Sequence, residues 1–580
     1  MSSVVKLSIS GAEKIVEAFV RHGLKYVFVF PGGTIAPIFD AIQKKTNVQI
    51  ICPRNEQGAG YAALAYAKLT RKAAVFMVTS GPGVTNAVTP IADAYYDNVP
   101  LVILTGQVGT ADMRGTIPVK QRGFQEVDTV DLMKPITKAA FLVKDTRELP
   151  DVMDHAFFLA ETGRKGPVVI DLPMNIQYDA LVAKDFLPIK KRKYREPLVP
   201  KTSIKTLAGW IQMAERPVIL AGGGVIAASA QKELRKLVDD NKIPVTMSLP
   251  GIGAYPSSRP LSLGLCGYAG SQYANIAIYN SDLLICVGTT LHVRQTGSLP
   301  DRTAPGAKIA RIDLDPNELK HSRVPLDLEI HADAKKVLSA LNALFRHRVS
   351  RQRKTQQWRR TIDAWRKEFP LVPEKRRGNA IKPQRALEVA NRAIGGGEVI
   401  VSTGVGQHQI WVPRHFDFDF PKRQLLTSSG HGTMGFDLPV AIGAKIARPN
   451  ATVLCVVGDG SLQMNIQELA TITESKLDIK ILVLDNHSLN IVAQFQRQNW
   501  KSHPTTGDKY NPDFARIAKA YGIHSVKIIS VRGMEKKLRA ALKHSGPVLI
   551  HCEIDEREDL LPMLLGGHTL NDMSSESSFE

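Results

Sequence analysis

Residues 455 to 488 read CVVGDGSLQMNIQELATITESKLDIKILVLDNHS. The segment opens on an apolar β-branched run, turns on Gly458 and Gly460, continues with an amphipathic pattern and closes on a second apolar run, IKILVLDN. Short apolar runs bounded by turn residues mark strands buried on both faces, and two of them joined by a helical stretch form a parallel strand–helix–strand unit. Neighbouring parallel strands bring their carboxyl ends together, which places Asp459 in the glycine turn near Asn486 at the end of the next strand. Two readings of that pair stay open. A poorly solvated carboxylate at a strand end calls for a cation or N–H donors, and with a second oxygen ligand it makes a Mg²⁺ and diphosphate cradle. Asp and Asn are also common as turn formers and helix caps.

The same alternation fills the chain on either side. The block 1–187 holds YVFVF, AAVFMVTS, PLVILTG and PVVIDLP; the block 200–345 holds PVILAGG, PVTMSL, DLLICVG and KIARIDLD; the block 383–560 holds EVIVSTG, TVLCVVGDG, IKILVLDN and PVLIHCEI. The expected fold class is α/β, with three doubly wound parallel-sheet domains. Basic linkers at 188–199 and 346–382 separate them, and a tail, 561–580, follows. A chain of 580 residues is too long for one core. Glycine turns follow five of these strands: FPGGT (30–34), TSGPGVTN (79–86), LAGGGVIA (220–227), STGVGQHQ (402–409) and VGDGS (457–461). None is the GxGxxG of a nicotinamide-binding fold, so a dehydrogenase is poorly supported, while five such turns suggest more than one phosphorylated cofactor.

Composition excludes several classes. The hydrophobic fraction of 44% and charged fraction of 22% are those of an ordinary globular protein. No apolar run is long enough to span a bilayer, and the first residues read as a helix capped by Ser8 or Ser10, with Ile15, Ala18 and Phe19 on one face, rather than as a secretory signal. A cytoplasmic chain without membrane contact is expected. Cys52, Cys266, Cys286, Cys455 and Cys552 stand singly, as buried free thiols rather than disulfides or zinc ligands. The net charge of +20 gathers in KKRKYR (190–195), RHRVSRQRKTQQWRR (346–360) and EKRRG (374–378), which reads as solvated linkers with some attraction for anionic substrates, not as a nucleic-acid surface.

GDGS followed by a strand ending in Asn resembles the thiamine diphosphate motif, in which the metal ligands would be Asp459, Asn486 and the carbonyl of Ser488. Glu56, in RNEQGAGYAALAYA, is by itself an ordinary first-turn helix residue. Beside FPGG and TSGPGVTN it resembles the catalytic glutamate of thiamine enzymes, which hydrogen-bonds the aminopyrimidine ring nitrogen and moves a proton there. Met434, in HGTMGFDLP, is a core residue by composition and matches the apolar prop beneath the cofactor.

Over its full length the chain resembles the acetohydroxyacid (acetolactate) synthases. The likeness runs through VFPGGTIAPIFDAI (29–42), VTSGPGVTNAVTPIADAYYDNVPLVILTGQV (78–108), FQEVD (124–128), GQHQIW (406–411) and GDGSLQMNIQELATI (458–472). It implies thiamine diphosphate, Mg²⁺ and FAD as cofactors, and a homodimer or dimer of dimers in which Glu56 of one subunit faces Asp459 of another. A regulatory subunit is a further possible partner. It also implies decarboxylation of pyruvate and transfer of the two-carbon unit to a second 2-keto acid. By position Gly33, Phe124 and Gln125 line the reacting centre. Pro31, Gly32, Pro82, Asn86, Gly406, Gln407, His408, Gly432, Gly458, Gly460 and Ser461 would contact the thiamine cofactor. The flavin segments would place Gly222, Gly223, Asn275, Asp313 and Asp333 at the FAD, and Arg294 near the acceptor carboxylate, where a planar guanidinium suits bidentate recognition. Three departures lie along the acceptor entrance: the family Lys is Met174, its Trp is Phe495, and its acidic pair before the Arg is His292 and Val293. They leave open another ketone acceptor, such as a nucleotide-linked keto sugar, beside a simple decarboxylase or oxidase.

Overall fold

The computed structural model describes residues 8–345, 355–371, 379–500, 506 and 510–575. Most of the basic stretch 346–360 and all of 374–378 lie outside these residues. Three six-stranded sheets form, one per block, with a small antiparallel pair of Ser8–Ser10 and Ala180–Val182.

The first sheet runs in the order Gln49–Ile51, Tyr26–Val29, Ala74–Val78, Leu101–Gln107, Pro167–Pro173, Ala139–Leu142, all parallel. The third repeats this topology with Arg423–Thr427, Val399–Thr403, Thr452–Gly458, Ile479–Asp485, Val548–Glu553 and His524–Ile528. The second follows a different order: Ser262–Leu265, Val245–Met247, Pro217–Ala221, Leu283–Val287, Lys308–Asp313, Leu328–His331. In each sheet the chain reverses direction of travel beside its first strand, and ligands of open parallel sheets bind in the crevice at that point. The glycine turns after Val29 and Val78, after Ala221, and after Thr403 and Gly458 all stand there.

Central strands are buried along their whole length, as in Ala74–Val78, Leu101–Gln107 and Ile479–Asp485. This is why they read as unbroken apolar runs. Residue contacts divide the chain into two compact units, one of 1–194, 428–450 and 464–479, the other of 195–427, 451–463 and 480–580. In the first unit the helix Glu56–Thr70 packs against Asp437–Ala447.

Several expectations are sharpened or corrected. Of the two serines, Ser10 caps the first helix, in a reciprocal pair with Glu13. Cys52 is exposed because it follows a short edge strand, whereas the other four thiols are buried and free. The first basic linker is not simply solvated: Arg192 makes a two-pronged contact with Asp151, both arms at 2.8 Å, which with the Lys190 N–H holds that carboxyl down at about 2. Within the second basic stretch Gln356–Glu368 is a helix whose Trp358 and Ile362 are buried with the middle sheet's apolar cluster. Its indole is what the charge count hides, because Trp358 Nε1 donates to the carbonyl of Pro217 at 3.3 Å. The tail also docks, with Leu564 and Leu570 in that same cluster and Arg414 donating to the carbonyls of Leu561 and Pro562.

One buried acid makes the first domain pH-sensitive. Asp171 accepts from Thr105 Oγ1 at 2.7 Å and from Gln107 Nε2 at 3.0 Å, and burial pushes its carboxyl from 3.8 up to about 7. The folded state therefore holds a proton that the unfolded chain has released, so this group's contribution to stability falls as pH rises from about 4 to 7. Asp171→Asn, neutral throughout, is expected to flatten that part of the slope. Urea midpoints across the same pH range measure it, and an unchanged slope contradicts it.

Candidate active site

In the first unit the turn Pro31–Gly32–Gly33 follows the strand Tyr26–Val29, and Thr34 ties it to its neighbours. Thr34 Oγ1 lies 2.8 Å from Thr79 Oγ1 and accepts from the Ser80 N–H at 2.9 Å, while the Thr34 carbonyl accepts from Gln177 Nε2 at 2.7 Å. Gly33 is open on its side-chain face, with no atom within 4 Å of a Cβ built there. Pro82 starts the next helix, Pro82–Tyr96. Glu56 begins the helix Glu56–Thr70, capped by Asn55, whose side chain accepts from the Gly58 N–H at 2.6 Å. Only 6% exposed, Glu56 accepts at Oε2 from Asn86 Nδ2 at 3.0 Å. The expected acid and the expected Asn86 are thus brought together. Behind them, Glu468 accepts the Arg54 N–H at 2.9 Å and Asn465 accepts from Asn55 Nδ2 at 3.1 Å, so the residues just before Glu56 are held from the helical segment after GDGS. Burial raises the Glu468 carboxyl above its usual range.

Phe124 is 83% exposed on the loop before Thr129, and Gln125 adopts a left-handed backbone with φ 65°. Gly81, at φ 59°, faces it; a Cβ there would sit 2.9 Å from the Cβ of Gln125. Gly432 donates its N–H to Ser428 Oγ at 2.9 Å, and Met434 is half-buried two residues on, so it is not a full core residue.

In the second unit Asp459 follows the strand Thr452–Gly458 and is 5% exposed. Burial, with Asp485 alongside, pushes its carboxyl up, while donors on Asn511 and the Gly460 N–H pull the other way. Asn511 Nδ2 donates to Asp459 Oδ2 at 2.6 Å and to Asp485 Oδ1 at 2.7 Å. Burial alone would raise Asp485 too, but His551 Nε2 at 2.7 Å and the His487 N–H hold it low. Asn486 directly follows the adjacent strand, 7% exposed, its Oδ1 accepting from the Ser488 N–H at 3.3 Å across a left-handed His487. Two buried carboxylates share one amide as donor, an arrangement that fits a hard divalent cation. Among the described residues no three His, Cys, Asp or Glu side chains are arranged to hold a metal ion by themselves; Asp459 with the neutral oxygens of Asn486 and Ser488 could hold Mg²⁺, which takes phosphate and water oxygens for its other positions.

Around that site Gly458 faces the imidazole of His408, 3.1 Å from a Cβ built there, Gly406 turns the chain before His408, and Gly460 and a buried Ser461 lie in the first turn of the helix Asp459–Met464. Ser402 Oγ and Thr403 Oγ1, at the end of the neighbouring strand, are buried without partners. Gln407 does not present a free amide: its Nε2 donates to Gln494 Oε1 and the Glu558 carbonyl, and its Oε1 accepts from Asn490. Any contact from Gln407 to a ligand would come from its backbone.

At the middle sheet's switch point Gly222 and Gly223 open the turn, and a side chain at Gly222 would collide with the Gly288 carbonyl at 2.0 Å. The remaining expected flavin residues are engaged within the protein. Asn275 grips both backbone groups of Gly267 at 2.8 Å, Asp313 accepts from Arg311 and from the Asp315 N–H, and Asp333 caps the helix Ala334–Phe345 through the Lys336 N–H. Arg294 is exposed, its guanidinium 5.2 Å from the Tyr268 ring centre. His292 caps the short helix Val293–Thr296 by accepting the Arg294 N–H at 3.2 Å, with Val293 exposed. Phe495 stands half exposed against Trp500, ring centres 5.3 Å apart, and Met174 is half-buried. Asn511, Glu468 and Glu126 escaped the sequence reading; no spacing rule links them to the strands they serve.

Three family models match the chain: the N-terminal thiamine pyrophosphate (TPP) binding domain of thiamine pyrophosphate enzymes over residues 9–132, their central domain over 204–341 and their C-terminal TPP binding domain over 404–552. Similar curated proteins include an acetolactate synthase isozyme 1 large subunit from Escherichia coli, 39% identical with 98% of each chain covered. The acetolactate synthase large subunit of Haemophilus influenzae is 37% identical over 97% of this chain and 98% of its own. The chloroplastic acetolactate synthase of Arabidopsis thaliana is 37% identical over 98% of this chain and 84% of its own.

Proposed function

The chain belongs to the acetolactate synthase family of thiamine pyrophosphate enzymes, and from that premise we propose that it joins two pyruvate molecules, with loss of one CO₂, to form acetolactate. The observations that carry this reading are, in one unit, a buried Glu56 met by Asn86 and, in the other, the Asp459–Asn511–Asp485 arrangement at the third sheet's crevice. When bound, thiamine diphosphate supplies an ionisable carbon that attacks a keto carbonyl and holds the electrons released by decarboxylation. Asp459, Asn486 and the Ser488 carbonyl would hold Mg²⁺ against its diphosphate. Glu56 would hold or move a proton at the aminopyrimidine ring nitrogen, in a site whose burial keeps that carboxyl from bulk water. Gly33, with its open face, would leave room for the substrate, beside Phe124 and Gln125.

Glu56 belongs to one compact unit and Asp459, Asn486 and Ser488 to the other. Our reading takes the dimer as the active form, each site taking Glu56 from one copy and the metal ligands from its partner; a monomer mass by gel filtration under active conditions would contradict it. FAD is assigned to the crevice beside Gly222 and Gly223, on the strength of the switch-point turn alone, and a flavin absorption spectrum of the purified protein tests it. Arg294 would meet the acceptor carboxylate. With the smaller Phe495 in place of an indole and an exposed Val293, pyruvate is expected to compete well with 2-ketobutyrate as acceptor. Mass spectrometry of products from equimolar mixtures reads this directly; a large excess of the ketobutyrate-derived product, or formation of product only when a nucleotide-linked keto sugar is added, would overturn the assignment.

A further inference from the structure

The stretch FQEVD contains a third residue that the mechanism has not used. Glu126 is 9% exposed, and its carboxylate collects three backbone N–H groups: Arg114 at 2.6 Å on Oε1, Arg122 at 2.9 Å and Gly123 at 3.2 Å on Oε2. Burial alone would raise this carboxyl, yet these donors and the nearby Arg114 charge hold it below its ordinary value. The same residue's backbone closes the turn, its N–H donating to the Gly123 carbonyl at 3.1 Å and its carbonyl accepting from Gln121 Nε2 at 3.1 Å. Val127 is anchored to the sheet by Gln107 Nε2 at 2.8 Å. One side chain therefore ties both ends of the 114–123 loop to the turn from which Phe124 and Gln125 project.

We propose that Glu126 is a positioning residue for carbon–carbon bond formation: by clasping the backbone of Arg114, Arg122 and Gly123 it fixes Phe124 in solvent-facing reach of substrate and holds Gln125 in its left-handed conformation against Gly81. The inference rests on the assignment of Phe124 and Gln125 to the reacting centre. Without the clasp, Gln125 has no reason to keep φ 65°, a conformation that L residues adopt only when their surroundings impose it. A shift of about 1 Å in such a group is enough to cost roughly 100-fold in rate. Glu126 touches neither Glu56 nor the metal ligands, so activation of the cofactor is left intact.

Glu126→Gln keeps size but loses the charge and one acceptor oxygen. In the cofactor-loaded protein its acetolactate turnover is expected to fall about 10- to 100-fold. A larger share of pyruvate should leave as acetaldehyde, while exchange of the cofactor's C2 proton into D₂O stays at the wild-type rate. A purely structural role would lower exchange and turnover together and leave the product ratio unchanged, and that result overturns the proposal. If Glu126→Gln does not fold, Glu126→Asp, which keeps the charge and shortens the reach, is read in the same way. Phe124→Ala separates the two layers. An unchanged product ratio in Phe124→Ala defeats the site assignment and the inference with it; a changed ratio there with none in the Glu126 variants defeats the inference alone.

Discussion

Replacing Glu56 by Gln is expected to lower turnover by about 100- to 10,000-fold, the range that a positioned proton-transfer group supplies. Glutamine still accepts at its amide oxygen from Asn86 Nδ2, now 3.0 Å from Glu56 Oε2, so the helix start at Asn55 is retained and folding is little affected. What is lost is the exchangeable carboxyl proton, in a position 6% exposed where water cannot replace it. The C2-proton exchange of the bound cofactor should therefore slow in step with turnover, in contrast to the Glu126 variants. Unchanged turnover in a folded Glu56→Gln protein would remove Glu56 from the chemistry.

The second large effect has two opposite signs. Asp459→Asn is expected to weaken Mg²⁺ and cofactor binding by more than the 10- to 100-fold that loss of an outer-sphere partner costs, because a charged ligand itself is removed. Yet the cofactor-free variant should be at least as stable as the cofactor-free wild type. In the unliganded protein the Asp459 carboxylate is buried beside Asp485, and the two are offset by Asn511, by nearby N–H groups and, on Asp485, by His551. Neutralising one of them relieves a repulsion that function requires. Saturating ligand at about 100 times its Kd stabilises by roughly 2.7 kcal/mol, and this increment should vanish in the variant. Thermal midpoints with and without Mg²⁺ and thiamine diphosphate test both signs; a variant that melts low without cofactor and still rises with it would contradict the account.

The long buried strands were legible because burial on both faces demands uninterrupted apolar side chains, as in IKILVLDN and PVVIDLP. Edge strands such as Ala139–Leu142, Leu328–His331 and His524–Ile528 went unread, because short strands with one partner tolerate mixed residues. Asp459, Asn486 and Glu56 stood out only because the turn that needs them also needs glycine close by, which marks the sequence. Asn511 carries no such mark: its role exists only where the chain brings it back to the ends of two strands. Glu126 and Glu468 were quoted within motifs without their function, since a carboxylate that binds backbone N–H groups leaves no pattern in its partners. The basic stretches misled in the other direction. Charge density suggested solvated linkers, while Trp358 and the Arg192–Asp151 pair dock parts of them onto the domains.

The central claim is that this site turns pyruvate into acetolactate. Its most direct test is the carbon balance of the purified protein supplied with Mg²⁺, thiamine diphosphate and pyruvate as sole substrate. Acetolactate synthesis releases one CO₂ for every two pyruvates consumed, with acetolactate as the matching product. One CO₂ per pyruvate with acetaldehyde or acetate, or no consumption of pyruvate, would contradict it.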